Sequence, residues 1–157
     1  MIIIVSGTPG TGKTTLSRKL AAKLKYDYID VKKAIAENKL KEKYDKKRRT
    51  YAVDVKKLNK ILISLIKKNK DLIIDSHLSH YLPEKYVDLC IITKCNLKEL
   101  EKRLKKKRYN KSKIRENLDC EIFDICLNEA KEAKHKILIV DTTKGIDIGK
   151  IIKKIKW

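Results

Sequence analysis

Gly7-Thr8-Pro9-Gly10-Thr11-Gly12-Lys13-Thr14 (GTPGTGKT, residues 7–14) lies between an apolar run, Met1 to Ser6, and a stretch from Lys13 to Leu24 in which Leu16, Leu20 and Leu24 recur every fourth residue. The apolar run reads as a buried parallel strand and the leucine stripe as a helix. A strand that feeds a helix through G-x-x-x-x-G-K-[ST] is a phosphate cradle. Its glycines let the loop turn and bring backbone N–H groups up to phosphate oxygens, and the positive end of the helix adds to the attraction. In this setting Gly10 and Gly12 shape the loop and Lys13 bridges the terminal phosphates of a nucleotide. The Thr14 hydroxyl would coordinate Mg²⁺, and Thr15 adds a hydroxyl near the α-phosphate.

Outward from this motif, strand and helix alternate. Further strands are expected at Tyr28–Val31, Asp71–Ile74, Leu89–Thr93 and Ile137–Val140. A polar helix is expected over 32–43. Another follows Asp54 as N-cap, with Leu58, Ile61, Leu62, Leu65 and Ile66 inward. The next runs from Leu97 to about Lys106, capped by Asn96 or Thr93. The stretch 105–113 is basic and reads as a loop between helices. A longer helix then turns Ile114, Leu118, Ile122 and Ile125 inward, and a last one turns Ile148, Ile151, Ile152 and Ile155 inward. This pattern predicts a P-loop NTPase fold, a three-layer α/β/α sandwich on a five-stranded parallel sheet, in one domain spanning 1–157.

Such a fold needs an acidic residue at a neighbouring strand end to hold the Mg²⁺ water shell. Asp75, at the tip of Leu72-Ile73-Ile74, occupies that place. His77 follows two residues on, placed to orient an acceptor or an attacking water. A zinc site on His77 and His80 would need at least three ligands, and no third stands at a fitting spacing. His80 reads as a surface histidine.

Length and composition fit one domain: 157 residues, 42% hydrophobic, with aromatics at only 6%, so that an Ile/Leu core is expected. The net charge of +20 suits polyanion partners, and a biased composition or a heat-adapted surface produces the same excess. Cys90, Cys95, Cys120 and Cys126 show no two-residue gap and read as buried free thiols of a reducing compartment. No apolar run approaches a membrane span, and a cytoplasmic location is expected. The chain is too short for a motor or a translational GTPase and has no N-K-x-D motif for guanine. A small kinase of nucleotides or metabolites remains, for which 32–53 and the basic 105–113 supply an acceptor grip and a lid.

GTPGTGKTT, DSHLSHYLPE, RLKKKRYN and ENLDCEIF together resemble the atypical adenylate kinase family, the small nuclear-type enzymes and their archaeal relatives. The resemblance covers nearly the whole chain, down to Trp157. It implies ATP and Mg²⁺ as cofactors and AMP or another nucleoside monophosphate as acceptor. It also implies an ATPase role in small ribosomal subunit maturation, with a ribosomal protein and rRNA as partners. Carried over residue by residue, it gives Lys13, Asp75 and His77 catalytic roles. Gly10, Gly12, Lys13, Thr14, Thr15, Lys107, Arg108 and Lys144 would bind the nucleotide, Lys144 against adenine, and Thr14 and Asp75 (through water) would hold the metal. The acceptor-binding part would span about 31–53, with Tyr44-Asp45 and Asp54 on matching positions, and the lid about 106–116. The chain departs from the family at Lys107-Arg108-Tyr109, where Arg-Gly-Tyr is usual, and at Ala36, where an Arg is frequent; Arg48 or Arg49 would then grip the acceptor phosphate. Two rivals are an ATP-driven assembly factor whose kinase activity is secondary, and an RNA-binding protein that uses the loop for RNA phosphate.

Overall fold

The computed structural model describes residues 1–46 and 50–155. Strand β1 (Ile2–Gly7) is buried from end to end. Its alternate side chains serve opposite faces, because strand side chains alternate. Ile2 and Ile4 join one interior, Ile3 and Val5 the other. Both faces must therefore be covered, and they are. Under the first lie helices α2 (Val31–Glu37), α3 (Val55–Lys68) and α6 (Ile125–Glu132), through Val31, Ile35, Leu58, Leu62, Ile66 and Leu127. Under the second lie α1 (Lys13–Leu24) and α7 (Ile148–Lys154), through Leu16, Leu20, Ile151 and the adjoining Ile155.

The sheet has the order β2-β5-β1-β6-β7, with β2 at Asp27–Asp30, β5 at Leu72–Asp75, β6 at Leu89–Lys94 and β7 at Ile137–Asp141. Every pairing is parallel: Val5 lies opposite Asp75 and Ile91, and Asp30 opposite Asp75. The expected five-stranded parallel sheet is thus present. β1 sits at its centre, flanked by strands that come later in the chain, the arrangement that opens a crevice at the carboxyl ends. Asp54 caps α3 by accepting from the Lys57 N–H at 3.2 Å, and Asn96 caps α4 (Leu97–Lys106) by accepting from the Glu99 N–H at 2.8 Å. Among the described residues no helix is long and apolar enough to cross a membrane.

Three expectations are corrected. The polar helix over 32–43 stops at Glu37, because Asn38 caps it and Lys39 turns left-handed (φ 52). The chain then runs as β3 (Lys41–Asp45), paired antiparallel with β4 (Thr50–Val53). The basic stretch 105–113 is mostly helical: α4 reaches Lys106, Arg108 turns left-handed (φ 57), and Asn110 caps α5 (Lys111–Ile122) by accepting from the Lys113 N–H at 2.8 Å. The long helix after it breaks at a left-handed Asp124 (φ 50), and the break turns Ile122 and Ile125 outward, 46% and 40% exposed. Helices α4 and α5 share a small interior of their own, formed by Cys95, Leu100, Leu104 and Ile114.

Candidate active site

The loop between β1 and α1 is braced from three sides. Gly7 has φ 144, and a Cβ there would lie 2.4 Å from the Thr93 hydroxyl oxygen of β6. The loop is thus pressed against the neighbouring strand where only glycine fits. Gly10 (φ 91) sits against Leu100 and Leu104 of α4, and Gly12 turns left-handed as the N-cap of α1. The Thr11 hydroxyl donates to the Thr8 carbonyl at 2.7 Å and lies 2.6 Å from the Thr93 hydroxyl. Thr142, beyond β7, donates to the Thr11 carbonyl at 2.6 Å. Arg103 of α4 ties these pieces together, reaching the Thr142 carbonyl at 2.7 Å, its hydroxyl at 3.1 Å and the Gly10 carbonyl at 3.5 Å.

Lys13 turns its ammonium back over the loop, donating to the carbonyls of Gly7 and Thr8 at 2.9 and 3.1 Å. The residue is half-exposed, yet its ammonium is enclosed by the loop; desolvation brings its pKa down to about 8. Thr14 donates its hydroxyl hydrogen to Asp75 Oδ2 at 2.7 Å, and Tyr28 of β2 donates to the same oxygen at 3.0 Å. Burial and the Asp75 charge push the Tyr28 phenol up to about 12. Asp75 is itself buried, at 6% exposure. The hydroxyl of Thr14 and the carboxylate of Asp75 are hard oxygen donors facing one point, a set that suits Mg²⁺ with its water shell.

A cleft of about 990 Å³ opens along the strand ends. Gly10, Gly12, Lys13, Thr14 and Thr15 form its floor, with Asp75 and His77 beside them. Asp30, Lys32 and Ile35 bring in α2, and Lys106, Lys107 and Lys113 bring in the α4–α5 tip. Gly145 and Ile146 line it from the loop after β7. His77 projects exposed into the cleft; desolvation by the surrounding walls, then the Lys13 and Lys32 cations, push its pKa down to about 4. It is therefore neutral near pH 7.

The structure brings together eight of the ten site residues expected from sequence. Arg108 and Lys144 are exposed and do not line the cleft; their neighbours Lys107 and Gly145 do. Tyr44 and Asp45 lie on β3 and Asp54 caps α3, while Arg48, Arg49 and Trp157 lie outside the described residues. His80 is not a surface residue: it is 1% exposed. The Ser6 hydroxyl lies 2.7 Å from its Nδ1 and the Glu129 carboxylate 2.7 Å from its Nε2, so that both ring nitrogens are satisfied in the interior. Tyr81 donates to the same Glu129 oxygen at 3.1 Å. Cys120 is half-buried and lines the cleft, whereas Cys90, Cys95 and Cys126 are buried. Sequence reasoning missed Arg103, Tyr28 and Glu129. Each acts across the fold, and no local spacing marks it.

A glycine cradle between the central strand and its helix, with a carboxylate at the next strand's tip, defines the chain as a P-loop protein of the kinase type. Comparison with known proteins agrees. The AAA domain family profile matches residues 3–124. A Methanocaldococcus jannaschii protein provisionally named an adenylate kinase is 37% identical over 155 residues, covering 99% of this chain and 84% of its own. The adenylate kinase isoenzyme 6 homolog of Dictyostelium discoideum is 34% identical, over 88% of this chain and 79% of its own. Among solved structures, the deoxyadenosine kinase of M. mycoides with bound dATP shares the fold at a TM-score of 0.59 and 18% identity, over 98% of both chains. The chain belongs to the atypical, isoenzyme-6-like adenylate kinase family.

Proposed function

We propose that the protein is a nucleoside monophosphate kinase that transfers the γ-phosphoryl group of ATP to AMP or a related monophosphate. One observation carries this reading: a single cleft is lined at once by the phosphate loop, by Asp75 and His77, by α2 and by the basic α4–α5 tip. A donor and an acceptor need that combination, since phosphoryl transfer asks for positioning and charge stabilisation rather than covalent chemistry.

In this reading the loop amides and Lys13 hold the β- and γ-phosphates. Thr14 and Asp75 would hold Mg²⁺, directly and through water, and that ion would supply charge neutralisation at the phosphate oxygens. Asp75 serves the metal shell rather than acting as a base, its Oδ2 held by the hydroxyls of Thr14 and Tyr28. Neutral His77 orients the acceptor. The segment 31–53, comprising α2 and the β3–β4 hairpin, grips the acceptor, and 106–116, the α4–α5 tip, is the lid, with Lys107 spreading transition-state charge. Arg103 fixes the loop after β7 that receives the base. The reading is supported by the family membership and by lysines that outnumber acids along the cleft.

A second reading keeps the same site but spends ATP on assembly of the small ribosomal subunit, with a ribosomal protein and rRNA as partners. The net charge of +20 favours an RNA-rich neighbourhood for it. A coupled assay of nucleoside diphosphate formation across a panel of monophosphates, with and without Mg²⁺, decides between them. Strong acceleration of ATP consumption by AMP supports the kinase. Phosphate release indifferent to any monophosphate makes hydrolysis the main activity.

A further inference from the structure

Cys90 lies wholly buried within β6, and Cys95 is buried just ahead of α4. The other two cysteines are placed differently. Cys120 lies in the last turn of α5 and Cys126 in the first turn of α6. The left-handed corner at Asp124 folds these helix ends together. With Thr8 of the phosphate loop, both residues also line one small hollow at this corner. Both residues line the nucleotide cleft. Lys13 lies close enough for its positive charge to act on Cys126. Cys120 is half-buried and accessible from the cleft, whereas Cys126 is buried, at 8% exposure.

We propose that Cys120 and Cys126 form a thiol modification site in the cleft wall, which takes low-molecular-weight disulfides and closes to an intramolecular Cys120–Cys126 bond. The Cys120 thiolate attacks one sulfur of the small disulfide, forming a mixed disulfide and releasing one thiolate. Cys126 then loses its proton and attacks the Cys120 sulfur, displacing the second small thiolate. Two protein thiols are oxidised to one disulfide, and one small disulfide is reduced to two thiols.

The order of attack follows from the site. Accessibility favours Cys120 as the first nucleophile. The hydrogen bond from Cys126 holds the Cys120 thiol below its ordinary range and leaves Cys126 above it. Bonded sulfurs lie only about 2.05 Å apart. Closure therefore draws the ends of α5 and α6 together and shifts Cys120 within the hollow it shares with Thr8, which disturbs the wall beside the phosphate loop. The bond itself stands on the placement of the two residues at the α5–α6 corner; its effect on phosphoryl transfer rests on the kinase reading.

The test uses the full chain. The reduced protein is incubated with oxidised glutathione, its remaining thiols are alkylated, and the peptides are mapped by mass spectrometry. The expected product is a Cys120–Cys126 disulfide with Cys90 and Cys95 still alkylated. Cys126→Ser should retain a glutathione adduct on Cys120, and Cys120→Ser should gain neither adduct nor disulfide. Four alkylated thiols in the wild type, or a bond joining any other pair, overturns the site. An unmodified Cys126→Ser variant overturns Cys120 as the attacking thiol. AMP-dependent ADP formation by the oxidised wild type should fall at least tenfold and return with dithiothreitol. Unchanged turnover in a protein mapped as bridged overturns the coupling to the cleft. A reduced protein with no kinase activity refutes the kinase reading instead, and the peptide map still decides the bond.

Discussion

Thr14, in the first turn of α1, meets Asp75, at the tip of β5, with 2.7 Å between hydroxyl and carboxylate oxygen. The pairing depends on the sheet, since the parallel register sets Val5 of β1 level with Asp75. Asp75→Asn keeps the shape and removes the charge. It is expected to cut kcat by about 10² or more, with a smaller change in KM for the acceptor, as for other losses of preorganised charge at a transferring group. Steady-state kinetics over a Mg²⁺ titration checks this. Wild-type turnover in that variant would remove Asp75 from the site.

Lys13→Met takes the one cation seated in the phosphate loop and leaves a side chain of similar length. Turnover should fall by about 10² or more. The fold should survive, because the desolvated ammonium of the free protein does not stabilise it. A circular dichroism melt beside the rate measurement separates the two effects.

Arg103→Met should raise the KM for ATP about tenfold, or about 1.4 kcal/mol, the size of one charge-assisted hydrogen bond. The guanidinium reaches the Thr142 and Gly10 carbonyls, so its loss loosens the loop after β7 against the phosphate loop. The effect should fall on ATP more than on AMP, and initial-rate measurements with each substrate varied will show the split.

His80→Leu strands the buried hydroxyl of Ser6 and should cost about 1–3 kcal/mol, read as a lower urea midpoint. The same residue predicts a pH effect. Burial holds the folded His80 pKa below its ordinary value, against the pull of Glu129. Around and below pH 6.5 the unfolded chain therefore takes up more protons than the folded one at this site. Its contribution is present above that pH and is lost as pH falls toward the folded pKa. Urea melts of wild type and His80→Leu between pH 7.5 and 5 should converge as the pH drops.

The sheet was legible because β1, β5, β6 and β7 are built on apolar runs and β1 ends in a motif whose spacing fixes strand, loop and helix together; β2, Asp27-Tyr28-Ile29-Asp30, gave the weakest signal. Asp75 was legible for the same reason, as the first polar residue after Leu72-Ile73-Ile74. The β3–β4 hairpin was hidden: Lys41-Glu42-Lys43-Tyr44-Asp45 packs on no core face, so it shows no apolar alternation. His80 was misjudged because its partners, Ser6 and Glu129, lie 74 and 49 residues away. The break at Asp124 was also out of sight, since the apolar spacing runs straight through it and the left-handed turn is carried by an aspartate rather than a glycine.

The seam of Leu100, Leu104 and Ile114 between α4 and α5 is separate from the two interiors beneath the sheet. Those two helices carry their own ballast. Leu100 and Leu104 also touch Gly10, so a substitution in this seam is expected to disturb the phosphate loop before it unsettles the sheet.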